Sequence, residues 1–266
     1  MQAANKRTRA VTSESAMAAP SGPAQLLSGL RAEQMAFLGE YAGAAQGQQV
    51  FVQVLCWPTV PAAWGMLAQS CAALRNLRGD AAASLAPKGS SWIHQVAPQL
   101  SRPLERDAAA AESTLATLIR RLPIRFAASV VEVAAKQAPG PETLRYRQLF
   151  SESLGAYSAH LKAANLAACR ALIAPEQAPP IMEIQRQVYD DVLPHLDGAA
   201  RVEGMTLTVW PATDLPLPLE MAQLAASVVG RHLHEPTLAS PLFETVRGHL
   251  VPSPRVHSNG SSKRRR

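Results

Sequence analysis

The side chains that could do chemistry are scattered histidines, one pair of aspartates, three cysteines and a basic end. His232 and His234 are two apart, so a helix turns their rings to different faces, and Pro236 follows closely. They form no metal pair, and His94, His160, His195, His249 and His257 show no ligand spacing that would extend one. Asp190 and Asp191 are adjacent and diverge by about 100° on a helix, which suits a solvated face rather than a facing acid–base pair. Cys56, Cys71 and Cys169 are odd in number and widely spaced, with neither a CxxC motif nor a disulfide framework. They read as buried reduced thiols in a reducing cytoplasm. No P-loop, GxGxxG, GxSxG or HExxH motif occurs. The expectation is a protein without catalytic residues, metal or cofactor, and so not an enzyme.

Charge is the next chemical signal. The chain has 266 residues and a formal charge of +6, with 26 basic and 20 acidic side chains. Seven of the basic ones are Lys6, Arg7, Arg9, Lys263, Arg264, Arg265 and Arg266, which leaves nineteen against twenty in the body. Attraction to a polyanion therefore belongs to the ends. The Lys263–Arg266 run is the candidate polyanion-binding site, suited to weak, salt-sensitive and sequence-independent contact with nucleic acid. Asn259-Gly260-Ser261 matches a glycosylation acceptor but reads as a turn in a chain with no secretory signal.

The elements that must position these groups read as helices. Hydrophobic residues make up 47%, aromatic residues 5% and charged residues 17%, and alanine is abundant. Alanine has the best helix propensity, so the expected fold is all-α, an elongated helical bundle. A sheet-based fold is not expected. No run approaches the roughly 18 apolar residues of a spanning helix.

The expected organisation begins with a disordered N-terminal tail over 1–20. A first helical unit covers 21–137: a helix from Ser21 to Leu55 that Pro58 and Pro61 end, a second through Val60, Trp64, Leu67 and Leu74, a connector over 85–103, and a third from Leu104 to Arg121 that restarts after Pro123. A second unit covers 138–203, with a helix from Glu142 to Leu172, a proline-rich hinge from Pro175 to Pro180, and a helix from Ile181 to Leu196. The C-terminal region 204–250 holds a short alternating strand, Met205 to Trp210, with no evident partner, then helices over 219–234 and 241–250. A basic disordered tail covers 251–266.

An offset of 116 residues aligns Leu38-Gly39-Glu40-Tyr41 with Leu154-Gly155-Ala156-Tyr157, and also pairs Arg31 with Arg147, Met66 with Met182, Gln69 with Gln185 and Leu77 with Leu193. Both copies read as helix, proline-rich hinge, helix, which suggests a duplicated unit. The second copy carries an Ala-rich helix from Tyr157 to Leu172, a proline-containing break, then Ile181-Met182-Glu183-Ile184-Gln185 and Tyr189. That pattern resembles the phasins, which coat bacterial polyhydroxyalkanoate granules. Leu67-Ala68-Gln69 is a looser version in the first copy.

The resemblance implies a non-enzymatic, cytoplasmic, self-associating coat protein that covers the granule surface with amphipathic helices. Leu38, Tyr41, Trp64, Leu67, Tyr157, Leu161, Ile184 and Tyr189 are its candidate apolar contacts. Apolar area leaving water is worth about 25 cal/mol per Å², whether a polyester or another helix covers it. The alternative expectation is a helical interaction or structural factor, a secretion accessory or virus-type protein, whose basic tail meets nucleic acid.

Overall fold

A valine-rich run with few breaks, Val50-Phe51-Val52-Gln53-Val54-Leu55-Cys56-Trp57, sits at the centre of the molecule as a strand covered on both faces. The computed structural model describes residues 29–45, 47–78, 108–134, 141–196, 199–212 and 215–252. In chain order the elements are β1 (Met35–Ala45), β2 (Gln48–Pro58), α1 (Ala63–Arg78), α2 (Ala108–Arg120), β3 (Ile124–Ala134), α3 (Glu142–Ala163), β4 (Ala171–Pro175), α4 (Pro179–Val192), β5 (Thr206–Trp210), α5 (Leu217–His234) and α6 (Pro241–His249). The five strands form one mixed sheet in the order β3-β2-β1-β4-β5. β1 to β3 are antiparallel neighbours, while β4 runs parallel to both β1 and β5.

This α/β architecture overturns the all-α bundle. Pro58 ends a strand rather than a helix, and the segment after Pro123 continues as β3. Leu172 lies in β4, beyond the end of α3 at Ala163. The strand at Thr206 to Trp210 pairs along its whole length with β4, and Pro175 and Pro179 mark a strand end and a helix start. The duplication is also corrected, because Leu38 to Tyr41 belongs to β1 whereas Leu154 to Tyr157 belongs to α3. The helices expected around Trp64, Leu104 to Arg121, Ile181, Leu219 and Pro241 are present with shifted ends. The five strands come from all three of the intervals 21–137, 138–203 and 204–250. The connector at 85–103, the first 28 residues and the tail beyond 252 lie outside the described residues.

Alternation distributes the strands over two cores. On one face Phe37, Val50, Val52, Val54, Phe126 and Ile173 pack with Leu67 of α1, Leu115 and Ile119 of α2, Ala222 and Ala226 of α5, and Val246 of α6. On the other, Leu38, Leu55, Trp57 and Leu172 pack with Phe150, Leu154, Tyr157 and Leu161 of α3 and Val188 and Tyr189 of α4. Trp57 meets Tyr157 with ring centroids 4.5 Å apart, and Phe150 meets Tyr189 at 5.8 Å, nearly edge-on at 72°. Tyr189 donates its hydroxyl to Met205 O at 2.9 Å, tying α4 to the chain entering β5. Tyr189→Phe strands that carbonyl in the core, so chemical denaturation should show a loss of about 1–2 kcal/mol with the fold retained.

Two details shape the functional end of the sheet. β4 pairs with β1 only from Met35 to Phe37, so β1 runs on beyond its shorter neighbour. α5 lies close against that extension: a Cβ added to Gly39 would sit 2.1 Å from Ala222 O, so glycine is what lets the helix approach.

Candidate functional site

Where β4 and β5 end, their carboxyl ends and the overhanging β1 enclose a pocket of about 420 Å³. The crevice outside the carboxyl ends of parallel strands is where open α/β sheets bind ligands. Glu40, at mid-β1, shares the strand face of Ala36 and Leu38 and so points toward α3 and α4. It is half-buried, with its carboxyl turned inward among amides. Gln185 of α4 donates Nε2 to Glu40 Oε2 at 2.9 Å, Gln177 donates to the same oxygen, and Gln53 of β2 donates to Oε1 at 3.4 Å.

The amides are themselves held. Ser153 of α3 donates Oγ to Gln53 Oε1 at 2.9 Å, and Ser129 of β3 donates to Leu149 O at 2.9 Å. Gln53, Ser129 and Ser153 are fully enclosed, so this polar seam between the sheet and α3 must be internally satisfied. From the other side α5 contributes Gln223, whose Oε1 accepts the Glu40 backbone N–H at 3.2 Å. That amide caps one of the β1 backbone groups that β4 leaves unpaired.

Two opposed influences act on the Glu40 carboxyl. Burial raises its pKa and dominates, while hydrogen bonds from Gln177, Gln53 and Gln185 and the charge of Arg145 pull it down. The outcome is a carboxyl above its ordinary value of 4.5. Burial also pushes the Tyr146 phenol up, reinforced by the Glu40 charge, so Tyr146 serves as a neutral hydroxyl. Arg145, a cation on the pocket wall, is already engaged: its guanidinium lies 4.1 Å from the Phe51 ring centroid and 3.1 Å from Glu142 Oε1. Glu176, at the exposed rim after β4, accepts the Ala212 N–H at 3.4 Å. The pocket therefore offers a ligand the carboxylates of Glu176 and Glu40 beside glutamine amides, tyrosine hydroxyls and the Arg145 cation.

Of the apolar contacts expected from the sequence, Tyr41 alone lines this pocket. Leu38, Leu67, Tyr157, Leu161 and Tyr189 are interior core residues. Trp64 packs edge-on against Phe37 at 5.4 Å, and Ile184 rests half-buried on the α3/α4 core. Lys263, Arg264, Arg265 and Arg266 lie outside the described residues. His232 stacks on Phe243 at 3.5 Å and His234 tilts against Tyr41 at 5.9 Å, so the two rings do serve separate contacts. Asp191 pairs with Arg147 at 3.0 Å on the surface. The three cysteines are free and buried, and burial raises the thiols of Cys56 and Cys169. Among the described residues no three His, Cys, Asp or Glu side chains converge as metal ligands.

Sequence reasoning missed Glu40, Gln53, Gln177 and Gln223. The available signal was Gln53, a single amide inside an apolar run, which in a buried strand demands a partner. These features define the class as a three-layer α/β protein with a polar pocket at the carboxyl ends of its parallel strands. No family model, curated protein or solved structure matches the chain.

Proposed function

We propose that the chain is a non-enzymatic binding protein whose pocket takes a positively charged, donor-rich group, an amine or a guanidinium. The observation that carries this reading is the Glu40 carboxyl, held by three glutamine amides beside Glu176, with the neighbouring Arg145, whose charge reaches Glu40, bonded to Glu142 and packed on Phe51. A cation entering there finds oriented acceptors in a partly desolvated site, where charge-assisted hydrogen bonds are strong.

Titration calorimetry with agmatine and putrescine, against inorganic phosphate as the anionic control, tests this reading. The amines should bind and phosphate should not. Phosphate binding without amine binding overturns it.

The granule-coating expectation needs apolar helix faces free to lie on a polyester. Most of the side chains it named are spent instead on the two faces of the sheet. Among the described residues, no helix is long and apolar enough to cross a membrane. The folded chain should therefore stay in the supernatant when centrifuged with amorphous polyhydroxybutyrate particles, at low and high salt alike. Salt-resistant retention would restore the coat reading, because apolar adsorption is not screened.

A further inference from the structure

We infer that the pocket takes an α-amino acid with a cationic side chain, whose carboxylate is read by Arg145. The inference rests on the reading of the pocket as a cation site and adds the anionic half of the ligand.

Arg145 lines the pocket with donors to spare. Its guanidinium carbon lies 4.1 Å from the Phe51 ring centroid and 5.6 Å from that of Tyr146, and a contact with a ring engages the charge without consuming an N–H. Of its five N–H donors, only an Nη2 bond to Glu142 Oε1 at 3.1 Å is made among the described residues. The Arg145 side chain is 13% exposed and that of Glu142 is 45% exposed, so the ion pair has one foot in water. Such pairs contribute little. A ligand carboxylate that meets the same guanidinium inside the pocket can bond it in two-pronged fashion, where charge-assisted hydrogen bonds are strongest.

The balance of charge selects the rest of the ligand. Two carboxylates, Glu40 and Glu176, and one guanidinium line the pocket. A diamine matches the carboxylates and leaves Arg145 facing a like charge. A simple anion matches Arg145 and meets two like charges instead. An amino acid of the arginine or lysine type, with one carboxylate and two cations, complements all three. Its α-carboxylate and α-ammonium sit on one carbon, as is needed beside Arg145 and Glu40, which lie within electrostatic reach of each other. The three glutamine amides orient the Glu40 carboxyl and bring no charge of their own. Its Oε1 accepts only Gln53, at 3.4 Å, whereas Oε2 accepts two amides, so Oε1 keeps room for one further donor. Glu176, on the rim after β4, accepts the Ala212 N–H and forms no ion pair among the described residues, which suits it to the side-chain cation. Leu149, Pro175 and Leu215 supply apolar lining for the methylenes between the two ends. The volume of about 420 Å³ accommodates a ligand of this size.

Titration calorimetry of the full-length chain with L-arginine and three analogues, each lacking one group, tests the assignment. Agmatine lacks the carboxylate, Nα-acetyl-L-arginine the α-ammonium and L-citrulline the side-chain cation. Each should bind at least tenfold more weakly than L-arginine. Arg145→Gln should weaken L-arginine at least tenfold and leave agmatine within twofold, because agmatine has nothing for that guanidinium to hold. Glu142→Gln, which alters only the more exposed partner of Arg145, should leave L-arginine binding as tight or tighter. Any analogue that matches L-arginine, an Arg145→Gln variant that loses both ligands alike, or weakened L-arginine binding in Glu142→Gln would each overturn the inference. If agmatine binds and the carboxylate adds nothing, the cation pocket stands alone. If neither agmatine nor L-arginine binds, that reading falls with it.

Discussion

Gly39→Ala should lower the unfolding free energy by about 3 kcal/mol, measured by urea denaturation followed by circular dichroism. The added methyl carbon would sit 2.1 Å from Ala222 O and 2.2 Å from its carbonyl carbon, both backbone atoms of α5 that cannot rotate away. Relief requires the helix to lift off β1, which opens the core shared by Phe37, Ala222 and Ala226. Alanine also stiffens the unfolded chain, a gain of only about 0.4–1 kcal/mol, so the clash decides the sign. Gly155→Ala is the matched control. That glycine lies within α3 with nothing inside 4 Å of an added Cβ, and the change should stabilise by about 0.5–1 kcal/mol.

Glu40→Gln should weaken agmatine binding at least tenfold, a loss of about 1.4 kcal/mol or more, while the protein remains folded. The surrounding glutamines can rotate their amides to offer carbonyl oxygens to the new side chain, so the seam stays satisfied. The pH dependence gives a second readout. Because the folded carboxyl lies above its ordinary value of 4.5, the native state keeps the Glu40 proton to a higher pH than the unfolded chain does. Its contribution to stability is full below about 4.5 and is lost as pH rises through the folded value. Cation binding runs the opposite way, strengthening over the same interval as the carboxylate forms. Both slopes should vanish in Glu40→Gln; an unchanged binding slope would assign the titration to another group.

The parts of this fold legible in the sequence were its amphipathic helices. Leu115, Ile119 and Leu122 around α2, and Val188 and Val192 in α4, bury one side and leave the other wet, so period and burial agree. β1 and β2 were not legible as strands for a definite reason. Val52 and Val54 face one core while Leu55 and Trp57 face the other, so the polar alternation that marks a half-exposed strand is missing. Abundant alanine then tipped an ambiguous apolar run toward helix. The β5 strand is legible because Thr206 and Thr208 preserve alternation at the sheet edge. Its partner is not, because Ala171 to Pro175 is buried throughout and carries no polar alternation to set it apart from the helix before it.

The candidate site was hidden for a different reason. Glu40, Gln53, Gln177, Gln185 and Gln223 come from β1, β2, the β4–α4 junction, α4 and α5, and only the sheet order brings them together. Gln185 sits in the helix pattern that resembles a coat protein. Its amide instead supports a carboxylate on a strand 145 residues away.

The late position of α5 in the chain bears on synthesis. The meander of β1 and β2 emerges early, yet the helix that covers Val52 and Val54 begins only at Leu217, roughly 160 residues after β2 ends. At ribosomal rates of about 5–20 residues per second, that face of the hairpin waits about 10 to 30 seconds for its cover. During that interval the valine-rich face of the strand lacks the cover of α5 and is open to other nascent chains, so yield in the cell should depend on holding chaperones and improve at slower initiation or lower temperature.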